Sequence, residues 1–350
     1  MISSKQPIQV YRGEYLESTH EIAVAVVNTE GDLLAHYGDP KQQVFARSSM
    51  KPFQAVPIVE SGALDSFHFS EKELALFCAS HIGEPIHRET VQHVLDQLQL
   101  TIYDLQCGTH VPRDMKSYDA LVRAGKQLNP LYSNCSGKHS GMLVGCKKQG
   151  FDIATYREIN HPYQQQILEV IAEVADIECK SIGMSVDGCG VPVHRMPLEH
   201  VALAYARLAK PEVWLTDNDQ RKKSLHRVCQ AMTMFPEMVA GTKQFDTDLM
   251  QAFNRRVVAK GGAEGVHCFG DKETGIGVAI KVADGNARAT TVATMEVLHQ
   301  LQIGNDVIWD KLAHYHEAPV KNARDETIGT IQAHFSLHIE KGVLHTWGIS

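Results

Sequence analysis

Apolar residues recur at every second position near the start of the chain, and this pattern predicts strands over residues 9–14 and 21–28. Thr29-Glu30-Gly31-Asp32 is a turn, and residues 33–38 return as a third strand, so the chain opens on a hairpin. Past residue 48 the period lengthens to that of helices. They are predicted over 53–60, with Pro52 tolerated in the first turn and Gly62 as the stop, and over 74–80 behind the capping box Ser70-Glu71-Lys72-Glu73. Further helices follow over 88–98, with Val91, Val94, Leu95 and Leu98 on one face, then over 116–127, 142–148 and 163–175. A strand over 181–186 ends in Asp187-Gly188-Cys189-Gly190, and three more helices span 198–208, 219–233 and 246–254. Strands resume at 266–269 and 276–282 about a turn at 271–275. A helix over 288–300 and a strand-like alternation over 328–339 complete the pattern.

Strands at both ends with helices between them predict an α/β protein of the α+β type. One antiparallel sheet would draw on both chain ends (about 1–45 and 256–350), with a helical middle lobe (about 46–255), in a single domain over 1–350. A composition of 43% hydrophobic and 21% charged residues supports a sizeable core. The net charge of −7, with no basic block longer than Arg221-Lys222-Lys223, argues against nucleic acid and anionic membrane surfaces as partners. Residues 1–10 lack the apolar core of an export signal, and the apolar run 22–27 is too short to span a bilayer. A cytoplasmic protein is expected. Its eight cysteines include no Cys-x-x-Cys pair, so buried thiols are expected rather than a disulfide framework. The nineteen histidines are scattered, and no His-x-x-x-His sits beside an acid partner on one helix.

The candidate chemistry begins at Arg47-Ser48-Ser49-Met50-Lys51-Pro52-Phe53. Ser48 stands three residues before Lys51 where a helix starts, a spacing that lets hydroxyl and amine share a face. A lysine held neutral can take the serine proton, and burial or neighbouring cations lower its pKa towards that state. About one Ser-x-x-Lys arises by chance in a chain of this length. The competing reading is a capped helix start with a solvated lysine. A second stretch, Cys135-Ser136-Gly137-Lys138-His139-Ser140-Gly141, is small and polar and runs into a helix. That suits close approach of a ligand, or ordinary turn chemistry.

These two blocks, with Asp187-Gly188-Cys189-Gly190 and Lys260-Gly261-Gly262-Ala263-Glu264-Gly265, resemble the signature blocks of the asparaginase II family, the thermolabile, rhizobial type of L-asparaginase. The resemblance runs over essentially the whole chain. It implies a serine β-lactamase-like fold, a homodimer, and two serine–lysine pairs in one pocket, Ser48 with Lys51 and Ser80 with Lys260. The Ser-Asp-Asn block of β-lactamases is absent, and Lys260-Gly261-Gly262 only approximates their Lys-Thr-Gly. The substrate implied is L-asparagine, a zwitterion, whose carboxylate Arg47 could clamp and whose ammonium Asp187 could accept. A structural salt bridge is the alternative for each. Cys135, Lys138 and Cys189 match the family's metal positions, and two thiolates suit zinc. Asp187 and His139 flank those ligands as outer partners, and His139 joins Arg47 and Asp187 among the substrate-contacting residues. Two alternatives remain: a β-lactamase-like serine amidohydrolase acting on another amide, and a non-catalytic zinc-binding protein whose serines only cap helices.

Overall fold

Ile22–Val27 is buried at every residue, as a strand covered on both faces must be. The computed structural model describes residues 6–340, and in it this strand lies inside a six-stranded antiparallel sheet. The order across that sheet is His338–Ile339, Leu33–Tyr37, Ile22–Val27, Ile276–Val282, Val266–Asp271 and Val257–Gly262. Strands from both ends of the sequence thus combine within one sheet, as expected. A second sheet, of four strands, was not foreseen. It runs Ala318–Lys321, Thr327–Ala333, Ile8–Arg12 and Tyr15–His20. The alternation over 328–339 therefore serves two sheets, and only Glu21 separates Tyr15–His20 in one from Ile22–Val27 in the other.

Both sheets belong to one compact unit, made of residues up to Ser49, Met196–Lys210, and Ala252 onward. Helix Leu198–Ala209 lies on the six-stranded sheet where Gly270 and Gly277 pair directly. A Cβ at Gly270 would strike the Tyr205 carbonyl and one at Gly277 the Ala202 carbonyl, so glycine is what lets the helix come this close. His267, an odd number of residues from Gly270, faces the other side, where its Nδ1 lies 3.1 Å from Thr294 Oγ1 of helix Arg288–Gln300. Helix Asp306–His316 escaped the sequence reading because it buries only Leu312 and so carries little period.

The other unit, Met50–Arg195 with Pro211–Gln251, is mostly helical. Set against the lobe expected over 46–255, it leaves the segment Met196–Lys210 with the sheets. Its central helix, Lys51–Glu60, is buried over its first eight residues. Near the far end of that helix, Arg221 bridges Glu60 and Glu173 at 2.6 Å each, tying it to helices Pro162–Ala175 and Asp219–Met234. The expected capping box is present at helix Glu71–Phe77, with Ser70 and Glu73 reciprocally bonded. The small, polar stretch before residue 142 is not a loop but the first half of helix Ser136–Gln149. Its Gly137, Gly141 and Gly145 form one stripe pressed on Leu76, Phe77 and Tyr163. These glycines serve helix packing. A hairpin of Gly183–Val186 with Pro192–Pro197 completes the unit, its second strand unforeseen.

Candidate active site

In the helical unit, five of the expected residues stand in two hydrogen-bonded groups. Lys51 opens helix Lys51–Glu60 and is 1% exposed. Its amine donates to Ala79 O at 2.5 Å, Ser80 Oγ at 2.8 Å and Cys135 Sγ at 3.3 Å, one acceptor for each ammonium hydrogen. Burial pushes its pKa down and the Lys138 charge adds to that, while Cys135 and Cys189 partly restore it. Ser80 follows the end of helix Glu71–Phe77. Its N–H donates to Val239 O at 2.9 Å, and its carbonyl accepts from Arg113 Nη2 at 3.2 Å, so the backbone that carries the hydroxyl is held from two sides.

The second group forms where helix Ser136–Gln149 begins. Lys138, 2% exposed, donates to Cys189 Sγ at 2.9 Å. Burial opposes its charge, yet Cys189, Cys135 and Asp187 outweigh burial and raise its pKa. Cys135 and Cys189 act on each other's titration. Cys189 draws the Cys135 pKa down against burial, with help from the Lys51 and Lys138 charges, and is itself correspondingly raised. Cys189 is delivered by a tight turn in which Gly190 N–H donates to Asp187 O at 2.8 Å. Gly190 has φ +87°, and a Cβ there would strike the Arg157 guanidinium. Asp187 itself accepts from Gly188 N–H at 2.8 Å and acts electrostatically on both Lys138 and His194.

Several histidines that the sequence did not single out line this region. Gly83 N–H donates to His81 Nδ1 at 3.2 Å, so the hydrogen of His81 sits on Nε2 and points to Ser136 Oγ at 2.9 Å. Burial, then the neighbouring His87, hold His81 neutral. His194 is 1% exposed with no partner at either ring nitrogen, and burial, then Lys138, bring its pKa to about 4. The expected His139 is also buried. Its Nδ1 lies 2.6 Å from Tyr156 Oη, and its Nε2 has no partner. An unpartnered polar atom costs stability unless something binds it. His194 stands beside Arg195 in strand Pro192–Pro197, so its polarity alone was no signal of burial.

The remaining expected residues lie in the sheet unit. Ser48 sits in the 3-10 turn Arg47–Met50, which leads directly into helix Lys51–Glu60. Arg47 holds φ +53°, a left-handed conformation that is costly for a residue with a side chain. Tyr205 Oη donates to Ser49 O at 2.7 Å and fixes the turn. Lys260, 2% exposed, lies towards the end of strand Val257–Gly262 rather than at its start, and its amine donates to Gly261 O at 2.7 Å. A Cβ at Gly262, on the same face as Lys260, would lie 2.9 Å from Ala46 O and 3.4 Å from Arg47 Cβ. The Ser48 turn and Lys260 are therefore neighbours. The expected pairs Ser48–Lys51 and Ser80–Lys260 each take one member from either unit. Within single units the neighbours are Lys51 with Ser80, and the Ser48 turn with Lys260.

Two thiols and an amine converging on one point are a donor set that zinc accepts, with a fourth position left for water. Cys135, Cys189 and Lys138 supply that set once both thiols and the amine are deprotonated, which metal binding itself promotes.

The L-asparaginase II family model matches residues 8–333. The chain belongs to that family and is thereby an amidohydrolase of the asparaginase type. Its structure is similar to a β-lactamase from Mycobacterium bovis, at 16% identity over 84% of this chain and 95% of that one, with a TM-score of 0.40. It is also similar to Mglu in its native form, at 14% identity over 81% of this chain and 66% of that one, with a TM-score of 0.37. None of the curated proteins matches it. No helix among the described residues is long and apolar enough to cross a membrane.

Proposed function

We propose that this chain hydrolyses the side-chain amide of L-asparagine to L-aspartate and ammonia through an acyl-enzyme. The observation that carries the mechanism is the buried Lys51 amine, depressed in pKa and bonded to the Ser80 hydroxyl at 2.8 Å. In this reading Ser48 Oγ attacks the amide carbon, and its proton passes to neutral Lys51. The tetrahedral intermediate collapses as its C–N bond breaks. Ser80 gives its proton to the departing nitrogen, and Lys51 replaces it along their hydrogen bond. Water then attacks the ester at Ser48 and loses a proton to Lys51; the C–O bond to Ser48 breaks, Ser48 Oγ takes that proton back from Lys51, and aspartate leaves. Lys260 tunes Ser80 by its charge. Arg47 takes the substrate carboxylate, Asp187 its ammonium, and His139 Nε2 offers an unpartnered buried nitrogen to the bound ligand.

Cys135, Lys138 and Cys189 would hold zinc in this proposal, and its charge would help to orient the substrate. The free cysteines among the described residues fit a reducing cytoplasm, and the family resemblance supports a homodimer.

Ammonia release from L-asparagine by wild type and Ser48→Ala tests the proposal. Activity in the first, and a loss of about 10³-fold or more in the second, is expected. Activity surviving the substitution would move the nucleophile to Ser80, which the Lys51 bond favours as the next candidate. No asparagine hydrolysis by wild type would overturn the substrate and turn attention to other amides, beginning with a chromogenic lactam.

A further inference from the structure

The last strand among the described residues, His338–Ile339, is two residues long and holds the edge of the six-stranded sheet by pairing with Leu33–Tyr37. His338 lies directly opposite His36. Glu340, two residues on, shares their face, and its N–H continues the ladder to Leu34 O at 2.9 Å. One donor atom from each of His36, His338 and Glu340 lies within 4.8 Å of the other two. The His36 tautomer can be read from its contacts. Its Nδ1 is 3.3 Å from Gly38 O, and a carbonyl only accepts, so Nδ1 carries a hydrogen. In the neutral ring Nε2 then turns its lone pair on Glu340 Oε1 at 3.4 Å. Two lone pairs facing each other repel unless a proton or a metal ion lies between them. The second imidazole, its ring centroid 5.0 Å from that of His36, brings a further ligand nitrogen to the same place. A proton serves one lone pair at a time, whereas a metal ion takes one from each ring.

We propose that His36, His338 and Glu340 form a site for a divalent late first-row transition ion, zinc foremost, that staples this edge strand to the sheet. Two imidazoles and a carboxylate leave one tetrahedral position for water, and ligands of this kind suit zinc rather than magnesium or calcium. Donor atoms around tetrahedral zinc stand about 3.3 Å apart, so no pair here need close by more than roughly 1.5 Å. The His36 and Glu340 side chains, 25% and 38% exposed, have room to do so by rotamer change while the ladder holds their backbones. A hydrogen bond from Nδ1 to a carbonyl is also how a zinc-bound imidazole is ordinarily oriented. Neither the site nor its effect depends on the asparaginase reading.

Cobalt(II), titrated into the metal-free full-length protein, tests the site. Thiolate ligands give an intense sulfur-to-cobalt band in the near ultraviolet, whereas a two-histidine, one-carboxylate site gives visible d–d bands alone. The proposal expects a sulfur-free component that saturates at one ion per chain. It weakens by roughly tenfold or more in His338→Ala and in Glu340→Gln, while any thiolate component stays the same. Zinc should also slow amide exchange at Ile339 and Glu340 in wild type and not in His338→Ala. Absence of the sulfur-free component in wild type, or its survival undiminished in His36→Ala and His338→Ala, would overturn the site. Binding without slowed exchange would overturn the staple.

Discussion

Lys51 and Lys138 sit in matching places and titrate in opposite directions. Each lies in the first turn of a helix within the same unit, each is almost fully buried, and each donates to a cysteine sulfur. Burial and the helix N-terminus disfavour both ammonium groups. The partners make the difference. Lys51 spends two of its three hydrogen bonds on neutral oxygens of Ala79 and Ser80, and its sulfur is 3.3 Å away. Lys138 has Cys189 at 2.9 Å and feels the Asp187 carboxylate. Both amines are drawn towards the charged form by Cys135 and Cys189; burial outweighs that pull at Lys51, whereas at Lys138, where Asp187 adds to the pull, it does not. One amine can take a proton from a serine, and the other stays a fixed cation or, when deprotonated, becomes a metal ligand.

The harshest test of this contrast is Lys51→Arg. A guanidinium preserves the charge but never becomes neutral in a protein, so kcat/KM for asparagine should fall by about 10³-fold or more, as in Lys51→Met. If Lys51→Arg kept more activity than Lys51→Met, Lys51 would serve as a cation and not as a base. Ser80→Ala follows, with an expected loss near 10²-fold. Its pH profile says more than its size does. Ser80 Oγ accepts from the lysine ammonium and so favours the charged form. Removing it lowers the Lys51 pKa further, and the acid limb of kcat/KM against pH should move to lower pH. A limb that stayed in place, or moved up, would take the titrating role from Lys51.

Gly141→Ala acts on the scaffold that keeps the two lysines distinct. A Cβ at this position would lie 2.7 Å from Phe77 Cγ and 2.9 Å from Ile58 Cδ1. Overpacking of this order costs about 1–3 kcal/mol, read from the denaturant midpoint. An unchanged midpoint would mean that the glycine stripe is not a tight helix contact. This stripe also shows what the sequence could and could not convey. Gly137 and Gly141 read as a loop because small polar residues around glycine are turn chemistry by default, and period alone cannot reveal which neighbour presses against a glycine. The strands over 21–28, 33–38 and 276–282 and the capping box at Ser70 were legible, since each rests on local pattern, whereas the strand-like run over 328–339 hid a change of sheet. The Lys51–Ser80 bond was not, because it joins residues 29 positions apart along the chain. His81 and His194 were equally hidden, as nothing local marks a buried histidine apart from an exposed one. Ser48 and Lys51 stood out by their spacing, whereas Ser80, Cys135, Lys138, Cys189 and Lys260 were nameable only because four blocks resembled a family together.

The smallest effect, and the sharpest on the contrast, is expected from Asp187→Asn in chelator-treated protein. The folded Lys138 pKa is raised above its unfolded value, so its stabilisation is fully present below the unfolded lysine pKa of about 10.4 and is lost as pH rises through the higher folded value. Lys51 behaves in the opposite sense. Its folded pKa is lowered, the unfolded chain binds more protons between the two values, and its contribution to stability grows with pH over that window, which closes at about 10.4. The two residues therefore bend the stability curve in opposite directions on either side of one pH. Asp187→Asn removes a carboxylate that helps to hold the Lys138 proton, but leaves Cys189 and Cys135 in place. The variant should be less stable than wild type on the plateau below about 10.4, because less Lys138 stabilisation is present there to be lost, while the rise assigned to Lys51 stays where it was. Urea midpoints of wild type and variant, measured from pH 7 to 11, would show this. Movement of both limbs together would mean that the two lysines titrate as one coupled cluster, and the division of labour between base and fixed cation would not hold.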